Sequence, residues 1–166
     1  LDRPSIFIYG GSIRPSSINT DYVTVSEKVG EYAKGDITED ELIAFEEVSV
    51  VGPGSCGGMY TANTMASSIE ALGMSLPGSS SQDAVSDDKK VDCQNAGEAI
   101  KRLLDLDLKP SDIMTKKAFE NSIAVVIALG GLTNAVLHRI AIAHCIGVDL
   151  DLDDFTRIGK VTPVLA

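Results

Sequence analysis

Seven consecutive residues, Gly52-Pro53-Gly54-Ser55-Cys56-Gly57-Gly58, hold four glycines and one cysteine. Glycine lets a backbone bend sharply and come close to another object. The stretch that follows, Met59 to Leu72, reads as a helix, so the chain passes here from a tight loop to a helix start. Cys56 therefore stands just before a helix N-terminus, where the positive end of the helix dipole favours a thiolate. A thiolate in an open, glycine-lined loop suits either metal binding or attack on a substrate. The plainer reading is a small residue packed in a tight loop, since free cysteines are often buried and inert. A nucleophilic cysteine needs a histidine base, and only His138 and His144 are available. Residues 52–57 also match the GxGxxG pattern of dinucleotide-binding loops. That reading lacks the acidic residue expected after a following strand, because the chain runs instead into a loop over residues 73–83.

The rest of the chain alternates helix signals with loops. Pro4 to Tyr9 is a short β-branched and aromatic run that stops at Gly10-Gly11 and reads as a buried strand. A serine-rich loop, Ser12 to Asn19, follows. Tyr22 to Ala33 reads as a helix ended by Gly35. Thr38-Glu39-Asp40-Glu41 has the capping-box form, so a second helix is expected to run to about Val48. Residues 48–51 read either as a helix end or as a short strand. Ser86 to Leu104 reads as a long helix with an apolar stripe of Cys93, Ala96, Gly97, Ile100, Leu103 and Leu104, which assigns Cys93 to the core. Residues 109–112 form a turn. Further helices are expected over 115–129, ended by Gly130-Gly131, and from Thr133 or Asn134 to Ile146, followed by Gly147. Leu152 to Ile158 forms a short acidic helix. Its surrounding aspartates (149, 151, 153 and 154) lack the glycine and terminal glutamate of a calcium loop and read as a solvated helix start. One strand needs partners, so the fold class expected is α/β and rich in helix.

Composition narrows the function. The length of 166 residues fits one domain. A net charge of −10 with scattered Lys and Arg argues against nucleic acid as a partner. The longest apolar run, Ile123 to Leu129, is too short to span a bilayer, and no signal peptide is evident. The three cysteines, 56, 93 and 145, are odd in number and widely spaced, which indicates neither a disulfide framework nor a self-contained zinc site. The chain starts at Leu1 and stops in the apolar run 161–166 without a turn or cap, so a piece of a longer protein is expected. Asn134, His138, Ala141 and Cys145 fall on one helix face, which reads either as a site wall or, for His138, as a hydrogen-bonded interior histidine.

GPGSCGGMYTANTM, followed by ASSIEALGMSLPGSSS, resembles the dihydroxy-acid dehydratase branch of the dihydroxy-acid and 6-phosphogluconate dehydratase family. The resemblance extends through PSIFIYGGSIRP, AFENSIAVVIALGGLTNAVLHRIAIAH and VDLDLDDFTRI, and so over essentially the whole chain. It implies part of a three-layer N-terminal domain over residues 1–166, with a C-terminal domain elsewhere. It implies a hydro-lyase that turns 2,3-dihydroxy acids into 2-oxo acids in valine, isoleucine and pantothenate synthesis. An iron–sulfur cluster, [2Fe–2S] or [4Fe–4S], and a magnesium ion are implied as cofactors. Cys56 corresponds to one of three cluster cysteines. The other two, the magnesium ligands and the catalytic serine base fall outside this chain, so no catalytic residue is expected within it. Cys93 and Cys145 match none of them. The pocket wall would draw on Gly57, Thr61, Asn63, Asn134 and His138. A small-molecule substrate, a homodimer, and a cytoplasmic (bacterial) or mitochondrial or plastid (eukaryotic) location are implied, with neither nucleic acid nor membrane as partner. A sugar-acid dehydratase of the same family is the nearest alternative. Two departures bear on substrate preference: Leu132 stands where the family usually has serine, and Val50-Val51 where many members have Cys-Pro.

Overall fold

The computed structural model describes residues 2–18 and 20–165. Leu1, Asn19 and Ala166, on which the readings of the chain start, the serine-rich loop and the chain end partly rested, lie outside the described residues. Helix dominates: α1 (Tyr22–Lys34), α2 (Glu39–Ser49), α3 (Thr61–Ala71), α4 (Asp87–Asp105), α5 (Pro110–Ile113), α6 (Lys116–Ala128), α7 (Asn134–Cys145) and α8 (Leu152–Gly159). A 3₁₀ turn, Ser79–Ser81, stands between α3 and α4.

The helix boundaries follow local chemistry. The first amides of a helix have no internal partner, and a short polar side chain just before the helix can accept from them. Asp21 caps α1 through the Thr24 amide, Ser86 caps α4 through Lys89, and Thr115 caps α6 through Ala118. Thr38 and Glu41 form the expected capping box on α2. Asp151 does the same for α8 with Asp154, so the aspartates there serve as a helix cap. Residues 48–51 resolve as the end of α2, and residues 109–112 fall at the start of the short helix α5, with Pro110 in its first turn.

The core gathers around α6, which packs on α3, α7 and α8. Leu72, Met74, Met114, Phe119, Ile123, Ala143, Leu150 and Ile158 form its buried cluster. The α1–α2 hairpin lies outside this cluster. Its two helices pack on each other, and α1 buries none of its residues. Side-chain bonds from Ser16 Oγ to the Val48 carbonyl and between Thr20 and Ser49 tie it to the loop before it.

Two expectations fail for the same physical reason. Pro4 to Tyr9 is extended but is no strand: Phe7 donates its amide to the Met74 carbonyl at 2.8 Å, and Phe7 and Ile8 are about half exposed. The residues opposite are Met74 and Ser75, whose hydroxyl donates to the Phe7 carbonyl at 2.8 Å, and no ladder continues from them. The α4 stripe is also rotated from the expected face. Lys89, Asp92 and Ala96 are buried, while Cys93 and Leu104 are exposed. The covered face of α4 is held by charge: Lys89 Nζ meets Asp92 Oδ2 at 2.7 Å, and Ser79 Oγ donates to the same oxygen at 2.9 Å. In both cases apolar residues offered a surface that no neighbouring element covers.

Sheet structure among the described residues is confined to bridges at Ser12, which pairs in parallel with Ser55 on one side and Asp83 on the other. The Ser12 amide donates to Gln82 O at 2.8 Å, and its carbonyl accepts from Ala84 N at 2.9 Å. Ile13 N donates to Ser55 O at 2.7 Å, and Ser55 N to Gly11 O at 3.0 Å. Two glycines permit this approach. A Cβ at Gly54 (φ +134°) would fall 2.4 Å from the Ile13 nitrogen, and one at Gly11 (φ +97°) 2.4 Å from Ala84 Cα. The helix-rich part of the α/β expectation holds, with three short segments bridged in parallel in place of a sheet.

Two long-range ion pairs fasten α8 to α6, Lys116 with Asp154 and Arg157 with Glu120. Asp154 accepts from Lys116 and, at 2.8 Å, from Arg157. The Lys116 bond first, then that of Arg157, holds the Asp154 carboxyl down at about 2, against 3.8 ordinarily. A carboxyl whose folded value is depressed contributes stability that is present above its unfolded value and lost as pH falls through the folded one. Thermal stability should therefore decline between pH 4 and pH 2, the two values that bracket this carboxyl. Asp154→Asn should lower the melting temperature at neutral pH and flatten that acid limb, as read by circular dichroism melts across the range.

Candidate functional site

The glycine loop is held from beneath by the first turn of α3. Tyr60 stands at the N-cap of that helix without a side-chain cap bond. The polar residues of the turn itself reach outward to the loop before it, to the N-terminal segment and to residues 132–134. Asn63, buried, donates both amide hydrogens to the loop: Nδ2 to Cys56 O at 2.7 Å and to Gly58 O at 2.6 Å. Its Oδ1 accepts from the Tyr9 hydroxyl, which also lies 3.3 Å from Ser12 Oγ. Thr64, fully buried, donates to Met59 O at 3.1 Å and accepts from Leu132 N at 3.2 Å. Thr61 accepts from Asn134 Nδ2 at 2.8 Å. Three regions distant in sequence (9–12, 56–64 and 132–134) thus meet at one helix end.

Cys56 is exposed and free of any disulfide. With Gly57 it lines a cleft of about 670 Å³. The cleft is walled by Ser12 to Ser16 on one side and by Thr20 to Tyr22 with Ser49 and Val50 on the other. Arg14 Nε meets Asp83 Oδ2 at 2.8 Å within this wall, with Arg14 still half exposed. Gly52 and Gly57 leave open space where a side chain would stand: a Cβ on either would meet nothing within 4 Å.

The expected wall residues separate into two groups. Gly57 lines the cleft beside Cys56. Thr61, Asn63 and Asn134 are joined at the α3 terminus beneath the loop, where Asn63 acts as a buried tie and faces no open space. His138 is one turn along α7 from Asn134 and exposed, so the interior-histidine expectation is corrected: the α7 face that goes inside carries Ala135, Arg139 and Ala143. Cys145 lines a different cleft, with Phe7 and Met114. The dinucleotide pattern at residues 52–57 loses its frame as well. Helix α2, not a strand, precedes it, α3 opens only at Thr61, and the close approach allowed by Gly54 is taken up by Ser12 and Ile13.

Tyr9 and Arg139 are residues the sequence reading passed over. Arg139 is buried among α3, α6 and α7, and its Nε lies 2.9 Å from Ser68 Oγ. Ser122 Oγ in turn donates to the Ser68 carbonyl at 2.6 Å. Burial pushes the guanidinium down to about 10, so it stays charged at neutral pH. An arginine in an apolar helix run was the available signal. Tyr9 gave none, because its partner lies 54 residues away.

Among the described residues no three of His, Cys, Asp and Glu stand close enough to hold a metal ion together. Two exposed thiols line clefts, Cys56 and Cys145, and of these Cys56 is the one set in the glycine loop. No helix of the described residues is long and apolar enough to cross a membrane.

Comparison with known proteins bears on the whole chain. A family model described as dihydroxy-acid/6-phosphogluconate dehydratase N-terminal matches residues 1–166. The chain is 66% identical over 166 residues to a dihydroxy-acid dehydratase 2 of Acinetobacter baylyi, covering 100% of this chain and 30% of that protein. It is likewise 66% identical over 166 residues to a dihydroxy-acid dehydratase of Chromohalobacter salexigens, covering 100% and 29%. A dihydroxy-acid dehydratase of Streptococcus suis is 52% identical over 169 residues, again 100% of this chain and 30% of the relative. The chain thus spans about 30% of the length of the curated relatives it matches.

Thr64 offers a direct test of the tie between α3 and the 131–134 turn. Thr64→Val keeps the shape and leaves the Met59 carbonyl and the Leu132 amide without their partner. A buried group left unpaired costs about 1–3 kcal/mol, so urea unfolding of the variant should report a loss of that size.

Proposed function

We propose a function on the premise that this chain belongs to the dihydroxy-acid/6-phosphogluconate dehydratase N-terminal family, which matches residues 1–166. The chain is the cluster-bearing portion of the N-terminal domain of a dihydroxy-acid dehydratase. The full-length protein removes water from a 2,3-dihydroxy acid to give a 2-oxo acid, in the synthesis of branched-chain amino acids. It works in the cytoplasm as a homodimer, in keeping with the bacterial relatives. The parallel bridges through Ser12 belong to the sheet of a three-layer α/β domain whose remaining strands come from other segments. One observation carries the reading: an exposed Cys56 thiol stands on a cleft, in a chain 66% identical throughout to a protein named for this activity.

Dehydration of such an acid removes the C2 proton and the C3 hydroxyl. The enol that results takes a proton at C3 and becomes the 2-oxo acid. An iron–sulfur cluster and magnesium, when bound, supply Lewis acidity toward the departing hydroxyl and the carboxylate. The residues of this chain hold and shape. Cys56 supplies one thiolate ligand. The open space at Gly52 and Gly57 leaves room for a bulky group beside it. Arg14, half exposed on the cleft wall, offers its remaining guanidinium N–H groups to a carboxylate at close range. Its partner Asp83 keeps the guanidinium against the wall.

In the full-length protein, Cys56→Ser should abolish the visible and EPR signals of the cluster together with turnover of 2,3-dihydroxy-3-methylbutanoate. A variant with a normal cluster and normal turnover would refute the assignment. The 166-residue chain alone should show no turnover, because its described residues do not assemble a metal site. Measurable 2-oxo acid from the isolated chain would overturn that part, and a substrate panel that favours sugar acids would move the activity to another branch of the family.

A further inference from the structure

Asn63 spends both of its amide hydrogens on carbonyls two residues apart, those of Cys56 and Gly58. One side chain therefore holds the Cys56–Gly57 and Gly58–Met59 peptides, on either side of the peptide between Gly57 and Gly58. The described backbone contains no cis peptide bond, and in a trans peptide the N–H points opposite to the C=O. With the Cys56 carbonyl turned down onto Asn63, the Gly57 N–H is turned the other way, and it donates to no group among the described residues. Gly57 itself lines the cleft beside Cys56. The amide cannot flip without loss, because the two loop carbonyls only accept and so require its nitrogen, while the Tyr9 hydroxyl donates to its oxygen on the other side.

We propose that Asn63 and Tyr9 are positioning residues for the Cys56 ligand loop, holding the Gly57 N–H toward the cleft as a hydrogen-bond donor to the group that Cys56 binds. The proposal rests on the reading of Cys56 as a cluster ligand. Hydrogen bonds to cluster sulfurs are among the determinants of reduction potential. The clamp thus bears on the electronics of the site as well as on its shape. It also explains why a buried asparagine stands in the first turn of a helix that has no side-chain N-cap. An aspartate of the same size has no hydrogen to offer either carbonyl, and it would set a negative charge against two carbonyl oxygens.

The test uses the full-length protein and two independent readouts. The first is the reduction potential and EPR line shape of the loaded cluster. The second is the rate at which iodoacetamide alkylates Cys56 in cluster-free protein, followed by peptide mass spectrometry, with exposed Cys93 and Cys145 as internal references. Asn63→Asp should shift the potential, alter the line shape and change Cys56 alkylation severalfold relative to the other two cysteines. Tyr9→Phe should move both readouts in the same direction by less, and it decides the matter alone if the Asn63 variant does not fold. Unchanged potential, line shape and alkylation ratio in a folded variant would overturn the clamp. Failure of the ligand reading is separable: there Cys56→Ser keeps its cluster signals, whereas a failed clamp leaves Cys56→Ser without them.

Discussion

The first turn of α3 is the constraint from which the surroundings of the candidate site follow. Thr61, Asn63 and Thr64 reach out of one helical turn to three separate segments of chain. Two of these residues are buried, where an unpaired polar group costs about 1–3 kcal/mol. A loop that moved would forfeit several such bonds together, so the loops and the helix end are held as a unit. The glycine run 52–58 is free to turn because of its composition, and it is held in one turn because of Asn63. A mobile composition with a rigid support suits a ligand loop, which must be shaped by something other than its own side chains.

Beneath that turn the structure accepts charge in its interior. Arg139 lies among α3, α6 and α7 with serine hydroxyls for company, and Lys89 and Asp92 pair beneath α4. Buried ion pairs rarely add net stability, because desolvation offsets most of the attraction. They do penalise the alternatives: Lys89 and Asp92 move together within α4, and a shifted helix would take Asp92 away from Ser79 Oγ, which donates to it from outside the helix. The apolar cluster around Phe119 and Ile123 drives the packing of α3, α6, α7 and α8, and the polar ties select which faces meet.

Much of the local structure was legible in the sequence. Thr38 caps α2 as its capping box predicts, and Asp21, Ser86, Thr115 and Asp151 cap their helices in the same local way, because a cap bond spans only two or three residues. Thr133, expected to cap α7, stands at its N-cap without a side-chain cap bond. Gly35 ends α1 in a left-handed conformation for the same local reason. The errors were of another kind. Cys93 on its apolar stripe, His138 on its mixed face and Pro4 to Tyr9 as a strand all needed to know what lies opposite. Helical periodicity identifies a face, and only a neighbour buries it. The neighbour of α4 turned out to be Ser79, which meets its Asp92, and the neighbours of α7 took the Arg139 side.

Cys56 illustrates the division. The sequence by itself determined that a thiol would stand among glycines shortly before a helix, since residue identity and helix signals are local properties. It also determined the family, because the motif is read along the chain. That the thiol is exposed on a cleft was decided by tertiary structure, as was the meeting of Cys56, Tyr9 and Asn63 in one clamp. Their spacing carries no period that a pattern could reveal. A hydrogen bond between residues 9 and 63 forms only after α3 has packed and the N-terminal segment has been drawn alongside it, and no pairwise feature of the sequence records that step.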